Sequence, residues 1–286
     1  MLGQNRYILT LSCRDTRGIV AAVSGFLASN SGFIIESAQF GDASTGHFFL
    51  RIEFSLENGS VAENLRTKFD CEVAEKFSMQ WEMVEKSRKI RTLIMVSKFG
   101  HCLNDLLYRY KTGQLAVEIP AIISNHRDFE QLAQWHEIPY FHLPVSPKNK
   151  EEQEDKILKI IDEQKIDLLV LARYMQILSP NLCGKLAGRA INIHHSFLPS
   201  FKGAKPYFQA FDRGVKLIGA TAHYVTNDLD EGPIIEQEVA RVDHTHQPED
   251  LEAIGRDTEC AVLARAIKYH SEHRVLLNGR KTVVFR

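Results

Sequence analysis

Apolar residues recur with period two at Tyr7, Leu9, Leu11 and Cys13, which predicts a strand from Met1 to Arg14 with one inward face. Arg14-Asp15-Thr16-Arg17-Gly18 breaks the alternation. Asp15 or Thr16 is placed to cap a helix from Gly18 to Ser29, whose apolar side is Ile19, Val23, Phe26 and Leu27. Asn30-Ser31-Gly32 stops that helix, with the glycine expected to supply left-handed backbone. A second strand runs from Phe33 to Phe40, and Gly41 to Gly46 is turn chemistry. Phe48, Leu50, Ile52 and Phe54 then alternate with His47, Arg51 and Glu53, which predicts a third strand with one wet face. Val61 to Phe77 reads as helix and Met79 to Val84 as strand. The order βαββαβ is that of a ferredoxin-like unit. The charged stretch Glu85 to Ile90 is a short linker, so domains are expected at 1–84 and 91–286.

From Thr92 onward the period switches between that of a strand and that of a helix. Thr92–Val96, Leu115–Ser124, Tyr140–Leu143, Leu168–Ala172 and Ala190–Ile193 read as strands, with Pro120 at an end or an irregularity. Leu103–Tyr110, Arg127–His136 and Glu151–Gln164 read as helices between them. Leu168-Leu169-Val170-Leu171-Ala172 is apolar throughout, as in a parallel sheet covered on both faces. The class is therefore α/β, with a Rossmann-like, mostly parallel sheet following the ferredoxin-like unit. In such sheets ligands lie beyond the carboxyl ends of the strands. No G-x-G-x-x-G follows the first of these strands, which disfavours a dinucleotide cofactor. Asn278-Gly279 between two apolar runs predicts a hairpin within the second domain.

Polar residues collect at one strand end. In Ala190-Ile191-Asn192-Ile193-His194, alternation puts Asn192 and His194 on one side. Burying two polar groups there is costly unless they are hydrogen-bonded or used. Downstream, Thr221 to Ile235 reads as a strand, a loop with three acids including Asp230, and another strand. Amide, imidazole and carboxylate suit acyl hydrolysis or transfer: an amide N–H donates to a developing oxyanion, and the other two handle the proton. Ser196 could complete a Ser/His/Asp triad, but no G-x-S-x-G elbow surrounds it.

Charge, composition and cysteine usage narrow the classes further. Lys+Arg 35 against Asp+Glu 36 leaves a net charge of -1, which argues against nucleic-acid binding. No apolar run reaches membrane-spanning length, and no signal peptide opens the chain. The five cysteines stand far apart without a CxxC pair, which fits reduced thiols in the cytoplasm. Histidines at 194, 195, 223, 244 and 246 lack metal-ligand spacing, so no metal is expected. His223 reads equally as a pocket residue or a hydrogen-bonded structural histidine.

Two resemblances join these readings. Cys13 to Val20, with Asn30-Ser31-Gly32 after the helix, is similar to an ACT domain. That implies a small amino-acid effector, glycine or methionine, near Asp15, Gly18, Ile19 and Asn30, and an equally open role in assembly as a homo-oligomer. Asn192-Ile193-His194, Ser196-Phe197-Leu198-Pro199 and Leu229-Asp230-Glu231-Gly232-Pro233 resemble the folate-dependent formyltransferase family over Ile90 to Val242. The resemblance implies the formyltransferase fold, catalytic roles for Asn192, His194 and Asp230, and no cofactor beyond the folate substrate itself. It also implies a pterin wall at Arg173, Tyr174, Met175, Gln176, Ile177 and Leu178; His223, on the strand leading to Asp230, is placed to line the pocket with them, and Lys202 and Gly203 to shape a loop over it. Taken alone, Ile177 and Leu178 read as core. Ser97-Lys98-Phe99-Gly100-His101 is a poor phosphate cradle compared with the Gly/Ser-rich loop of the ribonucleotide-using members, and His195 stands where transferases tend to have Pro. Together with the ACT-like region, these departures imply a member that uses water, hydrolysing 10-formyltetrahydrofolate to tetrahydrofolate and formate. A transferase with a small amine acceptor is the alternative enzyme, and a non-catalytic folate or amino-acid regulator the alternative outside catalysis.

Overall fold

The computed structural model describes residues 5–56, 62–199 and 206–286, and the chain divides into two compact units. The first reaches Lys89 and also takes in Glu272–Arg286. It contains β1 (Asn5–Arg14), α1 (Ile19–Ser29), β2 (Gly32–Asp42), β3 (His47–Leu56), α2 (Ala62–Phe69), a wider helical turn at Asp70–Ala74, α3 (Glu75–Phe77) and β4 (Gln80–Glu85). The four strands form an antiparallel sheet in the order β2-β3-β1-β4, which is the expected βαββαβ arrangement. Leu9, Leu11, Leu50, Ile52 and Phe54 face Val23, Leu27, Phe69 and Val73 across one core.

The second unit, Ile90–Ser271, is a mixed α/β fold around a mostly parallel sheet. Its elements are β5 (Ile90–Val96), α4 (His101–Lys111), β6 (Val117–Ser124), α5 (Glu130–Trp135), β7 (Tyr140–His142), α6 (Lys150–Glu163), β8 (Leu168–Leu171), α7 (Pro180–Lys185), β9 (Ala190–His194), α8 (Pro206–Asp212), β10 (Leu217–Tyr224), β11 (Ile234–Arg241) and α9 (Pro248–Ser271). The strand order is β11-β10-β9-β8-β5-β6-β7. β5 to β9 are parallel, whereas β10 and β11 run antiparallel to their neighbours. The register between β5 and β6 slips across Arg91/Leu93, opposite Pro120, which has no amide hydrogen to give the ladder. β8 sits centrally and is fully buried, as its unbroken apolar run requires.

The C-terminal hairpin, β12 (Val275–Asn278) and β13 (Lys281–Val284), departs from the expected domain division: it belongs to the first unit. Its anchors explain why. Arg51 donates from Nε and Nη2 to the Glu272 carbonyl at 3.3 and 3.1 Å, Arg274 approaches Glu36 at 3.5 Å, and Asn278 donates to Asp42 at 2.7 Å. The same anchors overturn the predicted wet face of β3, where Arg51, Glu53 and Ser55 are 1%, 3% and 1% exposed. Glu53 accepts from Lys86 at 2.6 Å and from Arg6 at 3.2 Å, so both buried charges on the strand are compensated. In the hairpin Asn278 pairs with Lys281, so the turn residues are Gly279 and Arg280 rather than Asn278-Gly279.

Neither Asp15 nor Thr16 caps α1. The position before the helix is Gly18, at φ 92°, with no side-chain cap. The Asp15 carboxylate instead lies over Gly41, where a Cβ would come within 2.8 Å of Oδ2. After α1 it is Ser31 that turns left-handed, at φ 60°, while Gly32 allows close approach to the Leu27 carbonyl. Replacing Arg51 with Ala removes a buried cation and the anchor of the C-terminal segment. The expected loss is about 2–4 kcal/mol of stability, read by urea unfolding.

Candidate active site

β9 carries Asn192 and His194 to the carboxyl end of the parallel sheet, and antiparallel β10 brings His223 opposite Asn192. The segment after β10 turns back at Asp230 before entering β11. Asp230 itself is left-handed, at φ 57°, a conformation that Asp and Asn tolerate better than most side chains. Gly232 is required by proximity: a Cβ there would lie 1.7 Å from the Tyr224 carbonyl oxygen. The Tyr224 amide also donates to the Pro233 carbonyl at 2.9 Å, so the loop is pressed against the end of β10.

These elements bring the three predicted residues together. His194 Nδ1 lies 3.2 Å from Asp230 Oδ2. Asn192 Nδ2 is 3.5 Å from Asp230 Oδ1 and 3.3 Å from His223 Nε2. His223 Nδ1 lies 2.9 Å from the Tyr224 carbonyl and donates to it, while Nε2 faces both the Asn192 amide at 3.3 Å and Asp230 Oδ1 at 3.6 Å. His223 is therefore both structural and part of the pocket. Burial would raise the Asp230 pKa, but the hydrogen bonds from His194 and His223 outweigh it and hold the carboxyl well below its usual range. Asp230 is thus an ionised orienting group and a poor base by itself. His194 Nε2 is buried with no hydrogen-bond partner among the described residues.

The three residues open into a cleft of about 260 Å³, walled on the other side by Arg173 to Leu178. Ser97, at the end of β5, fixes that wall: its amide donates to the Arg173 carbonyl at 3.2 Å, and its Oγ accepts from the Met175 amide at 2.9 Å. Tyr174 and Leu178 are buried in the core, as the core reading expects. Ile177 departs from that reading: it is 62% exposed and stands with Met175 and Leu229 as apolar surface around the cleft. Gln176 lines the same wall. Gly203 and Lys202 lie outside the described residues. Asp15, Gly18 and Asn30 stand by α1 in the other unit, partly or fully exposed, and Ile19 is core there.

Sequence reasoning missed a buried ionic cluster beside the cleft. Glu259 of α9 is 1% exposed and accepts from Tyr207 Oη at 2.8 Å, with His101 Nε2 at 2.7 Å and Arg173 Nε at 3.5 Å. Burial opposes the ionised form of Glu259, but the His101 hydrogen bond and the Arg173 charge prevail and lower its pKa. The signal was present: Glu259 falls on the helical face that carries Gly255, Val262, Leu263 and Ala266 inward. His101, Cys102 and Glu259 also place ligand-type atoms within 4.8 Å of one another. The Arg173 cation already compensates that carboxylate, so the cluster is an ion-pair network in this form. His195 has its pKa pushed down to about 4 by burial and by the charges of Arg173 and His194. Near neutral pH it is uncharged.

Gly232→Ala forces the Asp230 loop off β10. The expected cost is about 1–3 kcal/mol, with a loss of the Asp230–His194 contact that is visible as a changed His194 imidazole signal in NMR.

Comparison with known proteins places the chain in a family. The formyl transferase family matches residues 90–267. A formyltetrahydrofolate deformylase of Corynebacterium sp. (strain P-1) is 51% identical over all of both chains, and one of Bacillus subtilis (strain 168) is 48% identical over 97% of this chain and 93% of its own. The crystal structure of the Burkholderia mallei formyltetrahydrofolate deformylase superposes with a TM-score of 0.95 at 51% identity, covering 99% of this chain and all of that one. With matches of this identity along the whole chain, the chain belongs to the formyltetrahydrofolate deformylase family.

Proposed function

We propose that the protein hydrolyses 10-formyltetrahydrofolate to tetrahydrofolate and formate at Asn192, His194 and Asp230. The observation that carries this is the convergence of the three side chains within 3.2–3.5 Å at the cleft, with His194 Nε2 buried and unpartnered among the described residues. A buried polar atom without a partner calls for an explanation, and a reacting group supplies one.

The chemistry follows from the proton positions. His194 holds its Nδ1 proton on Asp230, which leaves the Nε2 lone pair to take a proton from water as the water oxygen bonds to the formyl carbon. Ionised Asp230 stabilises the resulting imidazolium. The carbonyl oxygen gains negative charge and accepts from Asn192 Nδ2, whose two present contacts are long enough to exchange for a stronger one. The C–N bond then breaks. His194 returns its proton to the folate nitrogen, and formic acid loses its remaining acidic proton to solvent. The wall from Arg173 to Leu178, with Met175 and Ile177 exposed, offers apolar surface and backbone groups to the pterin.

The βαββαβ unit is, in this reading, an ACT domain. The amides that open α1 have no side-chain cap, which leaves them available to a carboxylate such as that of glycine or methionine beside Asp15, Gly18, Ile19 and Asn30. β2 is an edge strand with Phe33 64% and Phe40 46% exposed, a surface suited to pairing with a second copy. Calorimetry is expected to detect one of the two amino acids, and sedimentation an oligomer; no heat with either amino acid, or a monomer, removes the corresponding part.

The catalytic assignment is tested by formate release. Asp230→Asn keeps a side chain that tolerates the left-handed backbone at this position, so folding is expected to survive while turnover drops about 10²–10⁴-fold. Near-normal turnover would refute the role given to Asp230. If wild-type protein releases formate only when an amine is added, transfer replaces hydrolysis as the reaction.

A further inference from the structure

We propose that His195 is a second water-holding group of the hydrolytic site: a ring nitrogen accepts a hydrogen bond from the nucleophilic water while His194 accepts the other. The inference rests on the hydrolytic reading above and adds a catalytic residue to it. His195 lines the same cleft as Asn192, His194 and Asp230. Its ring centroid is 5.1 Å from that of His194, a spacing that one water can bridge between ring nitrogens at hydrogen-bond length. Among the described residues neither His195 nitrogen has a hydrogen-bond partner. A polar ring this close to the reacting groups is thus left open on the cleft side.

Hydrolysis supplies the reason to keep such a group. A water must be oriented so that a lone pair faces the formyl carbon, and both of its hydrogens then need acceptors. His194 Nε2 takes the hydrogen that is transferred. The second hydrogen stays on the oxygen through the attack and needs an acceptor that does not itself become charged. The surroundings of His195 favour that form. Arg173, after β8, and His194, on the same strand end, place positive charge or its potential beside the ring and disfavour protonation. Glu259 of α9 and Asp230 of the β10–β11 loop act in the opposite sense. Burial joins the first pair, and the balance leaves the ring neutral near pH 7. Glu259 is already engaged by His101 and Tyr207, and the Tyr207 ring lies 6.3 Å from that of His195. The buried ionic cluster therefore backs His195 and keeps Arg173 next to it.

The balance of the step is unchanged: water oxygen bonds to the formyl carbon, His194 relays one proton to the folate nitrogen, and His195 releases its hydrogen bond when formate leaves. The test compares wild type, His195→Ala and His195→Gln in formate release from 10-formyltetrahydrofolate, with thermal melts to confirm folding. Loss of a well-oriented nucleophile is expected to lower kcat of the alanine variant by about tenfold or more with KM within about twofold. The glutamine variant, whose amide oxygen accepts a hydrogen bond, is expected to recover part of that loss. Wild-type kcat in the alanine variant, or a raised KM with unchanged kcat, overturns the proposal and makes His195 a wall of the folate site. An alanine variant that does not fold leaves the glutamine variant to decide: kcat between about one tenth and one half of wild type with unchanged KM supports the proposal, and any other result overturns it. Absence of formate release by wild type would instead overturn the hydrolytic reading, so the two failures are distinguishable.

Discussion

One carboxylate shared between two strands is the constraint on which the site depends. Asp230 meets His194 from β9 through one oxygen and faces His223 from β10 through the other. Antiparallel pairing fixes the separation of those strands, with His223 opposite Asn192. The loop must therefore double back tightly, which accounts for a left-handed Asp and for a glycine that carries no Cβ toward the Tyr224 carbonyl. Burial works against ionised Asp230, and the two imidazoles reverse that effect. The result is an ionised carboxylate that holds the His194 ring through Nδ1.

The cleft is divided chemically as well as sterically. One side is polar and hydrogen-bonded, built from the ends of β9 and β10. The other is the Arg173–Leu178 segment, tied to β5 through Ser97 and presenting Met175 and Ile177. Isolated exposed apolar residues need no explanation, but a group of them beside a polar cleft marks a binding surface. Arg173 belongs to both sides: its backbone continues the wall, while its guanidinium joins Glu259, His101 and Tyr207. Its φ of 63° is a further non-glycine left-handed conformation at the site. Backbone strain of this kind persists where the surroundings over-determine it, and here an ion pair at one end and the Ser97 contacts at the other do so.

Local pattern carried the architecture far. The period-two and period-3.6 stretches located the strands of both units and the helices up to α6, and the charged stretch after β4 marked the first boundary; α7, α8 and the long α9 were not read from the sequence. Asn192 and His194 stood out because polar residues at the end of an apolar strand break the pattern that a core demands; Asp230 was singled out among three acids in the following loop only by the family resemblance. What escaped was long-range. β3 alternates as though one face were wet, yet that face is closed by residues more than two hundred positions later in the chain. Charge compensation by Arg6, Lys86, Glu36 and the Glu272 carbonyl has no periodic signature. Asp15 reads as a cap because capping is local, and it was diverted by the approach of β2 at Gly41.

Sequence by itself therefore determined the two kinds of sheet, the order of elements as far as β9, and the polar pair Asn192 and His194 at a strand end, because each is set by neighbours along the chain or by side-chain chemistry. Only the tertiary structure decided which groups share a proton, which buried charges are compensated, and that His195, Arg173 and Glu259 stand together beside the cleft. Those properties depend on distances of a few ångströms between segments that the sequence keeps far apart, and electrostatic and hydrogen-bond energies are decided at that range.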